Sequence, residues 1–329
     1  MSVVSTSSPT ELLYFGKVPS RGDFVRSAQH ASLISSLDTW QSQTMDRLSL
    51  DPRWKLIYDA APATQFAILG TGSHVGLAGH WLASQDASGR RFPFITAGAF
   101  DLPKPRDFVD IAPVALSRLW ARLEQVARVA HAAVELEHAQ ASLNGPLDVD
   151  INIGSAQRAF EDFLETHTVA SLEQMLAASG TRLSVRQATL ALGMLLQPAM
   201  AQGASKLNKV LLLPLVADAA LKGPVAAWWL SLIMGFFARH QVELGLFVSK
   251  EGGRPYMVLG FQGASAATLT AVIDPALLAD QGVNLLESAW VEDEVEADYG
   301  LRKLSNYLLD PGLSLAQALR TYREVFLGV

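Results

Sequence analysis

The sequence predicts an α+β fold: a largely antiparallel sheet flanked by helices, with a helical C-terminal extension. Three observations carry this. Short apolar runs at Gln65 to Leu69 and Val75 to Ser84 are joined by Gly70-Thr71-Gly72-Ser73-His74, the pattern of a hairpin with a longer loop. A second set of strand-like runs follows at Lys209 to Val216, Glu243 to Ser249 and Pro255 to Phe261. Between and after them, apolar residues recur at helical spacing, most clearly in Ala31 to Leu48 and Leu313 to Phe326.

The chain is organised around Tyr14-Phe15-Gly16-Lys17-Val18-Pro19-Ser20-Arg21-Gly22-Asp23-Phe24. An apolar strand from Leu12 must stop here, because Pro19 cannot donate to a ladder and Gly22 tolerates positive φ. Arg21 and Asp23 then stand at a loop tip, either bracing the turn or facing a partner. Leu33, Leu37, Trp40, Thr44 and Leu48 give the next helix its apolar stripe. Asp51 to Ala60 reads as an irregular arm or short strand. Asp86-Ala87-Ser88-Gly89-Arg90-Arg91-Phe92-Pro93-Phe94 is a turn on Gly89 leading into a strand, Phe94 to Phe100. Arg90 is expected either to fork onto Asp23 or to remain solvated.

Phe108 to Leu143 reads as one long helical region entered near Pro113. Within it His131, Glu135 and His138 share a helical face. A di-metal site would need a second Glu-x-x-His, which is absent, so no metal is expected. Asn144-Gly145-Pro146 breaks the chain and sets a boundary between units 1–145 and 146–275. Helices are expected at Ala156 to Leu164 and Val169 to Ala178, while Gln187 to Ala201 stays unassigned. Pro224 to His240 reads as an apolar helix starting at Pro224. Its most apolar part, Val225 to Phe237, falls short of a membrane span of roughly 20 residues. Ala264 to Ile273 is a helix stopped by Asp274-Pro275. Residues 276–329 form an extension with the acidic run Trp290 to Asp298 and a final helix carrying Leu315, Leu319, Tyr322 and Phe326 on one face.

Two of these stretches carry a resemblance. Y-F-G-K-V-P-S-R-G-D-F is similar to the aromatic-G-K-[LV]-P-[SA]-x-G-D-F pattern of the TagF/ImpM family, accessory proteins of bacterial type VI secretion. D-A-S-G-R-R-F-P-F is similar to that family's D-x-x-G-R-x-[FY]-P-[LF]. A looser third resemblance lies in Trp228-Trp229, Gly260-Phe261 and Asp274. Gln262 stands where that family usually has proline. The resemblance covers about 12–275 and leaves the tail without precedent. It implies a cytoplasmic repressor acting after translation through the apparatus's forkhead-associated scaffold protein. The succession of strand, loop, helix, hairpin, strand and long helix is compatible with a longin- or profilin-like layered sheet. Ser20, Arg21, Asp23, Phe24, Arg90 and Phe92 are the candidate partner-binding residues.

Composition agrees with a binding role. Of the 329 residues, 50% are hydrophobic and only 18% charged, which predicts a large core or an apolar face covered by a partner. A net charge of −6 with no basic patch argues against nucleic acid. The absence of cysteine removes disulfides, thiolate catalysis and Cys-ligated metals. Met1 to Pro9 is polar and reads as no signal peptide, so a cytoplasmic chain without direct membrane insertion is expected. There is no G-x-S-x-G, H-E-x-x-H or Walker A with its lysine, and the Gly70-Thr71-Gly72 loop lacks a following helix to face a phosphate. Neither an enzyme nor a cofactor is expected. The alternatives are a structural subunit of the secretion apparatus or a hydrolase using Asp23, His74 or His80 with Arg90.

Overall fold

The computed structural model describes residues 10–205 and 207–329; the polar stretch Met1 to Pro9 lies outside them. Nine strands among the described residues form one sheet: β1 (Glu11–Gly16), β2 (Val25–Arg26), β3 (Thr64–Gly70), β4 (Val75–Leu82), β5 (Phe94–Asp101), β6 (Val210–Pro214), β7 (Glu243–Glu251), β8 (Arg254–Gly260) and β9 (Gly282–Asn284). Their order is β2-β1-β5-β4-β3-β7-β8-β6-β9, and every pairing is antiparallel except β6 with β9. The fold is thus α+β with a mostly antiparallel sheet. The β3–β7 pairing, from Gln65 opposite Val248 to Gly70 opposite Glu243, makes the sheet continuous across the breaker at Asn144-Gly145-Pro146.

Alternation along each strand sends apolar side chains to both faces. On one face Phe66, Trp81 and Phe247 meet Ile34, Leu37 and Trp40 of the Ala31–Leu48 helix, with Leu269 and Val272 of the Ala266–Ile273 helix. On the other, Ala67, Ala78, Leu246 and Leu259 lie under Leu119, Trp120 and Leu123 of the Ser117–Ala132 helix and Trp228 and Trp229 of the Ala219–Ile233 helix. Indole N–H groups pin these layers: Trp120 Nε1 donates to Phe66 O at 2.8 Å and Trp81 Nε1 to Gln41 Oε1 at 2.9 Å.

Several local expectations need correction. Asp51 to Ala60 is no irregular arm or strand: Trp54–Ala60 is a helix. The Asp51 carboxylate accepts the Arg53 backbone N–H at 2.7 Å, and Asp51 O accepts from Trp54 N at 2.9 Å, which turns the chain into it. The long region from Phe108 is four helices, Pro105–Val109, Ala112–Ala115, Ser117–Ala132 and Leu136–Leu143. Ala133 and Glu135 are extended, so the chain folds back and buries Ala139 and Leu143 against Val126, Ala127 and Ala130. An unbroken helix would carry those side chains away from that face. His131 therefore sits on a different helix from His138, and the shared face does not exist. Gln187 to Ala201 resolves into Val185–Leu196 and Ala199–Gln202, parted at Pro198.

The apolar helix starts at Ala219, not Pro224. The Asp218 carboxylate caps it, accepting from Ala220 N at 2.8 Å, and Pro224 lies inside. Ala219–Phe237 is long and apolar enough to cross a membrane by length and composition alone. Every residue from Val225 to Ile233 is nevertheless buried in the fold, the position of a core helix. Asp274 does not only stop the Ala266–Ile273 helix. Its carboxylate accepts from Ala276 N at 2.9 Å and starts the next, Pro275–Gln281.

Residues 276–329 share the main core. Leu285, Val291, Val295, Leu304, Leu315, Leu319, Tyr322 and Phe326 are all buried in it, and β9 adds a strand to the sheet. The acidic run forms the Val291–Ala297 helix, in which Val291 and Val295 point inward. Glu292 on its outer side is ion-paired with Arg186.

Candidate functional site

The two motif segments meet at the end of β1. Gly16 ends the strand at φ +133°, and a Cβ there would stand 1.9 Å from Pro93 O, so no side chain fits. The next residue, Lys17, is turned inward. Its Nζ lies 3.0 Å from Asp86 Oδ2 and 5.2 Å from the centre of the Phe24 ring. The Asp86 side chain is fully buried. Besides Lys17 it accepts from Ser88 N at 3.0 Å, Ser88 Oγ at 2.7 Å, Arg90 N at 3.0 Å and Arg90 Nε at 2.7 Å. Arg90 Nη2 then reaches Gly22 O at 2.6 Å, and Ala87 N donates to Arg21 O at 2.9 Å. Ser84 Oγ donates to Lys17 O at 2.7 Å, while the Tyr58 hydroxyl donates to Ser84 O at 2.9 Å. The loop and the hairpin are thus one braced body centred on Asp86.

An aromatic trio closes its apolar side. Phe24 stacks on Phe15 at 5.5 Å, and Phe92 meets Phe24 edge-on at 4.9 Å. Phe24 and Phe92 are half-buried within this cluster. The expected Arg90–Asp23 fork is not formed. Arg90 takes Asp86, four residues back in its own turn, and Asp23 instead accepts from the Phe24 N–H at 2.8 Å. Ser20 Oγ is enclosed without a partner. Gly22 and Asp23 are exposed, and the half-buried Arg21 has no side-chain partner among the described residues. Beside the knot, Arg91 grips Asp59 in a two-pronged pair, Nε to Oδ1 at 2.7 Å and Nη2 to Oδ2 at 2.6 Å.

Sequence reasoning missed the centre. Lys17 and Asp86 both stand in the two motifs, but local pattern singles out only the exposed charges at the loop tip. The order G-K and D-x-x-G-R held the signal: a lysine beside a strand-ending glycine and an aspartate opening a tight turn. The residues of the hydrolase alternative each have their own surroundings. His74 Nδ1 bonds Leu102 O at 3.0 Å, His80 is buried on the sheet, and Arg90 is committed to Asp86 and Gly22. Among the described residues no three or more His, Cys, Asp or Glu could hold a metal ion.

Burial alone would push the Asp86 carboxyl up, but hydrogen bonds from Ser88, Lys17 and Arg90 outweigh it and hold the group well below the usual carboxylate range. The sign of the pH effect follows. A folded-state pKa below the unfolded value of about 3.9 adds stability that is complete above that value. It is lost as pH falls through it toward the depressed folded value. Acid titration of the melting temperature should therefore show a loss below about pH 4 that is smaller in Asp86→Asn. An identical acid profile in the variant would remove Asp86 from the account.

Residues 14–145 match the TagF N-terminal domain, described as type VI secretion system-associated. The chain carries a TagF-type domain. The matched span contains both motifs, the knot, the end of β1 and strands β2 to β5. Among solved structures, PA0076 from Pseudomonas aeruginosa PAO1 aligns at 24% identity and a TM-score of 0.34, over 41% of this chain. This chain spans 64% of the length of that protein. No curated protein matches the sequence.

Proposed function

We propose that this TagF-domain chain is a non-catalytic, cytoplasmic regulator of type VI secretion. It represses the apparatus after translation by binding its forkhead-associated scaffold protein. The observation that carries the reading is the knot itself. Lys17, Asp86 and Arg90 are consumed in bracing one another, and the braced body holds Arg21, Gly22 and Asp23 outward at its tip. A pre-ordered tip loses little freedom on docking, which favours binding. Its polar groups satisfy each other rather than converging on a reactant, which favours a surface over an active site. Other secretion components are the partners of the structural-subunit alternative.

Expression of the intact chain in cells lacking their own copy tests the reading. Secretion by the type VI apparatus should fall, and the scaffold protein should co-purify. Unchanged secretion with no secretion component recovered contradicts the function. Recovery of the apparatus without the scaffold, and with secretion intact, selects the structural-subunit alternative.

A further inference from the structure

A second polar site lies where the matched domain meets the later strands, apart from the knot. β3 and β4 supply Gln65 and His80, the Ser117–Ala132 helix supplies Glu124, and the Ala219–Ile233 helix supplies Lys222. Ser249 and Lys250 come from β7. Together they border a cavity of about 300 Å³. Gln65 and His80 are directly opposite each other across the β3–β4 ladder, so both side chains face this side of the sheet.

His80 is the anomaly. It is 2% exposed, and neither ring nitrogen has a hydrogen-bond partner. Buried polar groups are almost always paired, and one left unpaired is destabilising. Its neighbours do not relieve it: Glu124 Oε2 accepts from Gln65 Nε2 at 3.3 Å, and neither bonds the imidazole. Burial holds the imidazole down to about 4, with Glu124 opposing the shift and Arg128 adding to it. At neutral pH the ring is uncharged and offers one donor and one acceptor. The ammonium groups of Lys222 and Lys250 form no ion pair or hydrogen bond with any described residue. Two cations then face the single carboxylate of Glu124, which makes the lining net cationic.

We propose that this cavity binds a small anion, a molecule carrying a carboxylate or phosphate group, held by Lys222 and Lys250 with His80 as its hydrogen-bonding partner. The negative group meets the two free ammonium ions, and a polar atom of the ligand meets the imidazole. Because the walls come from both the matched domain and the later strands, occupancy ties these parts together. The assignment is independent of the proposed regulatory role.

Titration of the intact, histidine-labelled chain with inorganic phosphate and, separately, with succinate tests this by nuclear magnetic resonance at constant pH and ionic strength. The His80 signal is identified by its loss in His80→Gln. A saturable shift of that signal with at least one probe is expected, and the probe that saturates names the acidic group. Lys222→Gln and Lys250→Gln should each weaken binding about tenfold, while Glu124→Gln should tighten it about threefold. All three positions are half-buried or exposed, and melting curves check that the variants fold. Shifts that never saturate with either probe overturn the proposal. So does affinity unchanged in both lysine variants, or weakened by Glu124→Gln.

Discussion

Trp229→Ala should lower the stability of the fold by about 3–5 kcal/mol, the usual range for truncating a fully buried large aromatic. Trp228 and Trp229 are both completely enclosed. Their helix packs against the Ala112–Ala115, Ile153–Thr166 and Val185–Leu196 helices and the C-terminal Leu315–Leu327 helix, so a cavity there loosens contacts drawn from distant parts of the chain. The two indoles differ in one respect. Trp229 Nε1 donates to Pro214 O on β6 at 2.8 Å, whereas Trp228 Nε1 has no partner. Trp229→Phe should therefore cost about 1 kcal/mol more than Trp228→Phe, the net worth of a buried hydrogen bond. Urea unfolding of the parent and the three variants measures both effects. A Trp229→Ala protein as stable as its parent would place the helix outside the core. Its length and composition would then favour a peripheral or membrane-surface role.

The elements whose burial repeats locally were legible in the sequence. Ala31–Leu48 has its expected bounds because Leu37, Trp40, Thr44 and Leu48 face the sheet at regular spacing. The hairpin of β3 and β4 was visible through its glycine-rich connection. What local pattern cannot show is pairing across the chain. β3 joins β7 over an interval of nearly two hundred residues, and nothing in either strand encodes that neighbour. Tertiary burial also overrides helical continuity. Nothing at Ala133-Val134-Glu135 is a strong breaker by type, yet the chain opens there so that Leu143 can reach Val126. Pro224 misled in the other direction: proline favours the first turn, but here the Asp218 cap lies further back and wins.

The candidate site was half legible. The loop and the hairpin do meet, and Arg90 does join them, but through Gly22 O and its own Asp86. Asp86 wins over Asp23 because the turn at Gly89 already holds it beside Arg90, so the contact needs little further ordering. A charge inside a short turn reads like surface until the second loop covers it. That covering is a long-range event, and so Lys17 and Asp86 escaped notice.

On the proposed function, the knot is scaffold and its tip is contact. Arg21 separates the two roles, because its guanidinium braces nothing among the described residues. Arg90 cannot separate them, since its alanine variant would also release Asp86 and Gly22. Arg21 and Asp23 lie close enough to couple, so their joint effect needs a double-mutant cycle. An arginine desolvated at an interface centre is worth about 2 kcal/mol or more, which is a loss of roughly thirtyfold in affinity. The most direct measurement is a calorimetric titration of the purified forkhead-associated scaffold with the intact chain and with Arg21→Ala, beside their melting curves. The account predicts binding by the intact chain, a loss of at least about thirtyfold in the variant and an unchanged melting temperature. Equal affinity for the two proteins would contradict it.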